Sequence, residues 1–395
     1  MASKKNTALK KPTSPVKLAR DIPDATRCIL WGITGGRCEF SGCNKPVYEH
    51  ALTALHLNLA DVAHVVAFSE EGPRGEDERP DDIHALSNLM LLCKECHKLI
   101  DDKPEKFPRD RLKAFKHEHE ARIKLVTGLG PDMHTTVVQL KAKVAGRDVD
   151  IPITHVYDAV TPRWPTSQQG FVIDLTGISV DSDVGAQAAA HKINAEVRNL
   201  YAPGMDAAKT RHISLFALAP MPVLMHLGAR LSDKIAIDFF QRHRDMKASP
   251  WQWRNDAQPA EFDVERVQTG TEKDKVAFVL SLSGKVSRTS LPPDIDDRFS
   301  IYEVTLKGVP PSPDFLRARE DLDRFRHLYR RFLAELVREH GVVKEMHVFP
   351  AAPAPIAVAL GHDLLPKVHP DLLAYDFDKT TGGFNLKLRI TRNDE

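Results

Sequence analysis

The sequence predicts two folds in series, a small α+β domain over residues 22–130 and a larger α/β domain over residues 131–395, after a basic arm of residues 1–21 that reads as disordered. Three observations carry this. Four of the five cysteines fall in two close pairs, Cys38 with Cys43 and Cys93 with Cys96, inside a stretch dense in Cys and His. A Gly- and Pro-containing break, "TGLGPDMH", then precedes the alternating strand pattern of "TTVVQLKAKV". Beyond it, "FALAPMPVLMHLGARL" (216–231) aligns without gaps on "FPAAPAPIAVALGHDL" (349–364).

The 395 residues, 42% hydrophobic and 28% charged, suffice for two or three domains that each bury a core. No run approaches the roughly 18 to 20 apolar residues of a membrane span, and "MASKKNTALKK" lacks a secretory apolar stretch. The expected location is the cytoplasm, with no membrane partner. The net charge of +1 announces no bulk attraction to nucleic acid. Locally, Lys4, Lys5, Lys10, Lys11, Lys17 and Arg20 stand without an acid, an arm suited to phosphates or merely to solubility.

The first domain closes on a helix in "FPRDRLKAFKHEHEARIKLV", where Leu112, Phe115, His119 and Ile123 share one stripe. In the second, each copy of the repeat has a short β-like run, "HISLF" or "MHVF", entering a proline turn that a small-residue helix leaves. A longer helix precedes each copy, "AQAAAHKINAEVRNLY" and "LRAREDLDRFRHLYRRFLAELVREHG", the latter with Leu322, Phe325, Tyr329, Phe332 and Leu336 at helical spacing. Each half also holds an earlier strand, "GFVIDL" and "SIYEVTL". Two such units predict a fused pseudo-dimer of open α/β sheets, with halves of about 131–265 and 266–395.

Four thiolates are the set that a closed tetrahedral zinc site takes, and a reducing compartment disfavours disulfides, so Cys38, Cys43, Cys93 and Cys96 are expected to hold structural Zn²⁺. Cys28 is expected to be a buried free thiol. His64 in "LADVAHVV", Asn88 in "LSNLMLLC" and His97 directly after Cys96, wrapped by the quartet, resemble the HNH endonuclease motif over about residues 25–105. The resemblance implies a ββα-metal fold in which His64 is the general base, Asn88 orients that base or its strand, and His97 ligates a divalent ion. Hydrolysis of a phosphodiester needs such a base and a cation beside the developing charge. On a helix Asp101, four residues after His97, points at the same spot, and a mixed imidazole and carboxylate pair suits Mg²⁺, Mn²⁺ or Ni²⁺. Asp102 would point elsewhere. Many HNH relatives carry Asp or His immediately before the base, where this chain has Ala63. Asp61 shares the strand face of residue 63 and is either the replacement carboxylate or a solvent-facing aspartate. His50, His56 and His84 read as surface or packing residues. The Lys and Arg of residues 103–124 suit phosphates, and no base-reading helix is visible.

The two repeat segments, with "LLPKVHP" and "SPWQWR", resemble the SAVED domain, a pair of fused CARF-like (Rossmann-like) halves, over about residues 135–395. With an HNH domain in front, the chain is similar to the HNH-SAVED effectors of bacterial anti-phage CBASS defence. That resemblance implies activation by a cyclic dinucleotide of the cGAMP kind, degradation of double-stranded DNA, and a homo-oligomer, a tetramer in the family. Independently, ligands of open α/β sheets sit beyond the carboxyl ends of the strands, where both repeats place a proline turn and a helix N-terminus. Candidate contacts are Lys367 for a phosphate, one of the alternating Trp251 and Trp253, with Trp253 favoured, for a base, Phe349 and Pro350 at a strand end, and Lys285 and Arg288 after another strand. Two other functions fit the same residues: a constitutive restriction-type endonuclease recognising modified DNA, and an inactive zinc-containing DNA-binding or sensor protein.

Overall fold

The structure, a computed structural model, describes residues 21–391 except 129, 145, 148, 232, 247–248 and 255–257. The basic arm up to residue 20 lies outside the described residues. The chain divides into two compact units, which meet between residues 129 and 130.

The first unit opens with α1 (Asp24–Ile33), then a loop carrying Cys38 and Cys43. A short antiparallel pair follows, β1 (Ala60–His64) and β2 (Leu89–Cys93), with Ala60 opposite Cys93 and His64 opposite Leu89. The chain passes without a break into α2 (Lys94–Asp102), and α3 (Arg109–Thr127) closes the unit. All five residues of β2 are buried, because this strand is packed on both faces. Leu30, Val47, Ala63, Ile100 and Leu112 join it in one core. On α3, Leu112 and His119 are buried, and the His119 Nε2 lies 3.0 Å from the Thr34 carbonyl oxygen. Cys28 is exposed, contrary to expectation, because α1 turns Leu30 inward and its outer face to solvent.

The second unit contains two sheets. The first is built from β3 (His134–Lys141), β4 (Trp164–Pro165), β5 (Phe171–Asp174), β6 (His212–Leu218) and β7 (Ala236–Phe240), with α4 (Ile153–Val160), α5 (Asp183–Leu200), α6 (Asp206–Thr210) and α7 (Met221–Arg230) in its connections. The second is built from β8 (Phe262–Gln268), β9 (Val276–Ser281), β10 (Ser300–Leu306), β11 (Glu345–Ala351), β12 (Asp371–Asp378) and β13 (Gly383–Ile390), with α8 (Arg319–His340) and α9 (Ala354–His362). Four strands of the first sheet run parallel in the order β5-β3-β6-β7, and four of the second run parallel as β10-β9-β11-β12. The second adds antiparallel edges β8 and β13. The division placed near residues 265 and 266 cuts β8, which pairs wholly with β10, so the change of sheet falls before Phe262.

Buried parallel strands demand helices on their faces, and α7 and α9 are apolar almost all round because they lie inside. They cross at matched glycines of the repeat. A Cβ on Gly228 would stand 1.9 Å from the Val358 carbonyl oxygen, and one on Gly361 would stand 1.9 Å from that of Met225. Only hydrogen side chains permit so close a backbone approach. On α8, Leu322, Phe325, Tyr329, Phe332 and Leu336 form the buried stripe that their spacing predicts.

Candidate functional site

The four cysteines converge because the loop after α1 folds back onto the junction of β2 and α2. Their sulfur atoms all lie within 4.8 Å of one another, with Cys43 and Cys93 Sγ 3.9 Å apart. Four sulfurs at about 2.3 Å from one ion would be about 3.8 Å apart, so the donor set fits a tetrahedral zinc. Burial pushes the Cys38 thiol up to about 12 and the Cys96 thiol further, each raised again by its sulfur neighbours. Cys93, though burial works against it, is held below its ordinary value by hydrogen bonds from Cys96 and the other thiols. Four sulfurs this crowded need a dication before all can ionise. Among the described residues this quartet is the only convergence of three or more metal-capable side chains.

On the adjoining ββα unit, His64 ends β1, His97 stands in α2 and Asn88 immediately precedes β2. Burial holds His64 below the ordinary histidine range, and the neighbouring His84 and His97 act in the same direction. A base so placed stays neutral at physiological pH. The buried Asn88 side chain bonds backbone groups. Its Oδ1 accepts from the Val66 amide at 2.9 Å, and its Nδ2 donates to the carbonyls of Val66 at 3.1 Å and Ile83 at 3.0 Å. These bonds tie the backbone just after β1 to the segment just before His84.

His97 lies between two carboxylates, with Nδ1 3.1 Å from Asp61 Oδ2 and Nε2 3.3 Å from Asp101 Oδ2. The bond to Asp101 leads the causes that raise its pKa, and Asp61 adds to it. Opposite ring nitrogens thus face the two acids, so the three side chains do not meet at one point, and an ion held by one nitrogen has one of the carboxylates beside it. Arg74 donates to Asp101 Oδ1 at 3.3 Å, which leaves Asp61 the less encumbered partner. Ala63 is buried in the core. Asp102 pairs with Lys98 away from the cluster, and His56 lies near Glu49 on the surface. His84, read as surface or packing, is buried with its Nδ1 3.2 Å from His64 Nε2.

In the second unit a cavity of about 1040 Å³ opens beyond the carboxyl ends of β3, β6, β7, β9 and β11, where Met221 begins α7 and Ala354 begins α9. Arg147, Arg242 and Arg244 line it. So do Gln241 and His243, whose Oε1 and Nε2 are buried without a hydrogen-bond partner among the described residues. Burial also holds His243 below the ordinary range. Of the contacts foreseen from sequence, Trp251 borders this cavity and the others lie elsewhere among the described residues. Lys367 sits in the exposed turn between α9 and β12, at the amino end of the sheet. Phe349 and Pro350 are buried in β11, the Phe349 ring tilted against Tyr375 in the core with centroids 4.4 Å apart. Lys285 pairs with Glu303 at 2.7 Å, and Arg288 donates to the Ile295 carbonyl at 2.7 Å. Trp253 faces a separate cavity of about 360 Å³, whereas Trp251, packed edge-on against Phe216, borders the large one. Of the missed arginines, Arg242 and Arg244 stand in "QRHR", directly after the strand pattern "AIDFF", where a sheet's carboxyl end must fall.

A ββα unit with histidines and a cysteine quartet suited to zinc, followed by an α/β unit with a cavity at its strand ends, has the layout of a nuclease domain joined to a sensor domain. Residues 38–103 match the HNH endonuclease family, and residues 194–390 match the SMODS-associated and fused to various effectors sensor domain, SAVED. The chain therefore carries an HNH endonuclease domain followed by a SAVED domain. No curated protein matches it. Similar solved structures include the Acinetobacter baumannii Cap4 SAVED/CARF-domain containing receptor with the cyclic trinucleotide 2'3'3'-cAAA, at 12% identity and a TM-score of 0.42, covering 75% of this chain and 62% of that one. The Moraxella osloensis Cap4 SAVED/CARF-domain containing receptor matches at 12% identity and 0.38, covering 74% and 60%. This chain thus spans less than two thirds of the length of either. No described helix is long and apolar enough to cross a membrane.

Proposed function

We propose that the chain is a metal-dependent endonuclease for double-stranded DNA, idle until a cyclic dinucleotide occupies the second unit, and that it serves in cytoplasmic CBASS anti-phage defence. The observation that supports this is that one ββα unit beside a cysteine quartet carries His64 at the end of β1 and His97 on α2, near enough for the charge of His97 to act on His64. His64, neutral through burial, takes the proton of the attacking water. Asn88 holds the end of β1 so that this ring keeps its aim. His97 with Asp61, or with Asp101 released from Arg74, supplies nitrogen and oxygen donors for Mg²⁺, Mn²⁺ or Ni²⁺. When bound, that ion adds positive charge beside the scissile phosphate.

The sensor is a pseudo-dimer of two CARF-like halves, a reading supported by the shared strand order and the matched glycine crossing. The guanidiniums of Arg147, Arg242 and Arg244 suit two phosphates, and the unpaired Gln241 and His243 atoms suit base edges. Gating requires the ligand to bind the active arrangement more tightly than the idle one, and oligomerisation, to a tetramer in this reading, would pair nuclease domains on both strands. The test is plasmid cleavage with Mg²⁺ or Mn²⁺ across a panel of cyclic di- and trinucleotides. Cleavage dependent on one of them supports the reading. Cleavage without any assigns a constitutive restriction-type enzyme, and none under any condition assigns a catalytically inactive sensor.

A further inference from the structure

His84 has no task in the chemistry above, yet it is buried against the proposed base, with Nδ1 3.2 Å from His64 Nε2. Two neutral imidazoles at this distance share one hydrogen, so one ring donates and the other accepts. Were His84 the donor, the lone pair on His64 Nε2 would be engaged and its Nδ1 would carry the hydrogen. His64 would then have no lone pair to offer water. Only the opposite polarity leaves a base.

We propose that His84 is a positioning residue for His64, accepting from its Nε2–H and so fixing the tautomer whose Nδ1 lone pair faces the substrate. This rests on the assignment of His64 as base. The contact is built from several sides. The His84 amide donates to Asp82 Oδ1 at 2.9 Å, and its ring stacks on Phe68 with centroids 5.7 Å apart. Asn88 joins both banks, bonding Val66 just after His64 and the Ile83 carbonyl just before His84. The side chain that holds the strand end therefore also sets the gap across which the two rings meet. When Nδ1 takes the proton from water, Nε2–H stays in place and donates to His84 as a charge-assisted bond.

The experiment compares wild type with His84→Ala, His84→Asn and His84→Gln in Mn²⁺-supported plasmid cleavage with cyclic GMP–AMP. Asn Oδ1 falls where His Nδ1 stands, and Gln Oε1 does not. His84→Ala and His84→Gln are expected to lose about ten- to a hundredfold in kcat, and His84→Asn to stay within about threefold of wild type. Nitrogen NMR of histidine-labelled protein, with His64 identified by His64→Ala, should show the Nε2–H tautomer in wild type and His84→Asn and a mixture in His84→Ala. A proton on His64 Nδ1 in wild type, or His84→Ala matching wild type in both readouts, overturns the proposal. If wild type itself never cleaves, the nuclease reading fails, and the tautomer measurement still decides the polarity of the bond.

Discussion

Replacing Gly361 with alanine tests the packing that joins the two sheets. A Cβ there would stand 1.9 Å from the Met225 carbonyl oxygen and 2.7 Å from the Ala229 nitrogen, both backbone atoms that no rotamer change can move. Ordinary contact is about 3.5 Å, so α7 and α9 must separate by about 1.5 Å. Overpacking of this severity costs about 3 kcal/mol. Alanine returns about 1 kcal/mol through its helix propensity, for a net loss of about 2 kcal/mol. In a unit of this size that lowers Tm by about 4–8 °C. Thermal melting followed by tryptophan fluorescence reads this unit, because it holds Trp164, Trp251 and Trp253. Gly177→Ala, at an exposed glycine whose added Cβ meets nothing within 4 Å, is the control and should shift Tm by less than about 1 °C. Gly228→Ala should resemble Gly361→Ala, and the double variant should lose less than the sum, since helices already parted accept the second methyl. A Gly361→Ala protein as stable as wild type, or more so, would refute the crossing.

Cys96→Ala should reduce bound zinc from about one ion per chain and abolish protection of the first unit from proteolysis, while the second unit keeps its melting transition. Asn88→Ala strands the Val66 amide and the carbonyls of Val66 and Ile83, and should cost the first unit about 3 kcal/mol in denaturant unfolding together with cleavage activity. The base must be neutral, and a lowered pKa keeps it so to lower pH. The acid limb of kcat/KM should therefore fall below the usual histidine value of about 6.5, with activity lost as pH drops through it. Arg242→Ala with Arg244→Ala should weaken calorimetrically measured binding of cyclic GMP–AMP at least tenfold and leave bound zinc unchanged.

Periodicity made the helices of the second unit legible: the α8 stripe and the repeat at 216–231 and 349–364 both follow from spacing within one segment. The cysteine pairs were legible for the same reason, since each pair is local and the four-donor preference of zinc suggests joining one to the other. The sensor cavity was not, because its lining comes from five strand ends far apart in sequence. Trp251 and Trp253 stand two residues apart outside any strand, and only tertiary packing decides which borders the large cavity. Phe349 is an aromatic at a strand end in sequence, but the neighbouring β12 and β13 bring Tyr375 and Phe384 over it and close the face. Asp61 could be placed on the face of residue 63, but not opposite the Nδ1 of His97. His84 lies twenty residues from His64 through a turn-rich loop without a repeating pattern, so nothing in spacing announces their contact.

The most direct test of the account is the cleavage rate of supercoiled plasmid by zinc-loaded wild type and His64→Ala, each with Mn²⁺ and with or without cyclic GMP–AMP. Wild type should cut only with the nucleotide, and His64→Ala should lose at least a hundredfold while still binding it. Equal cutting by the two proteins would remove His64 from the chemistry and contradict the account.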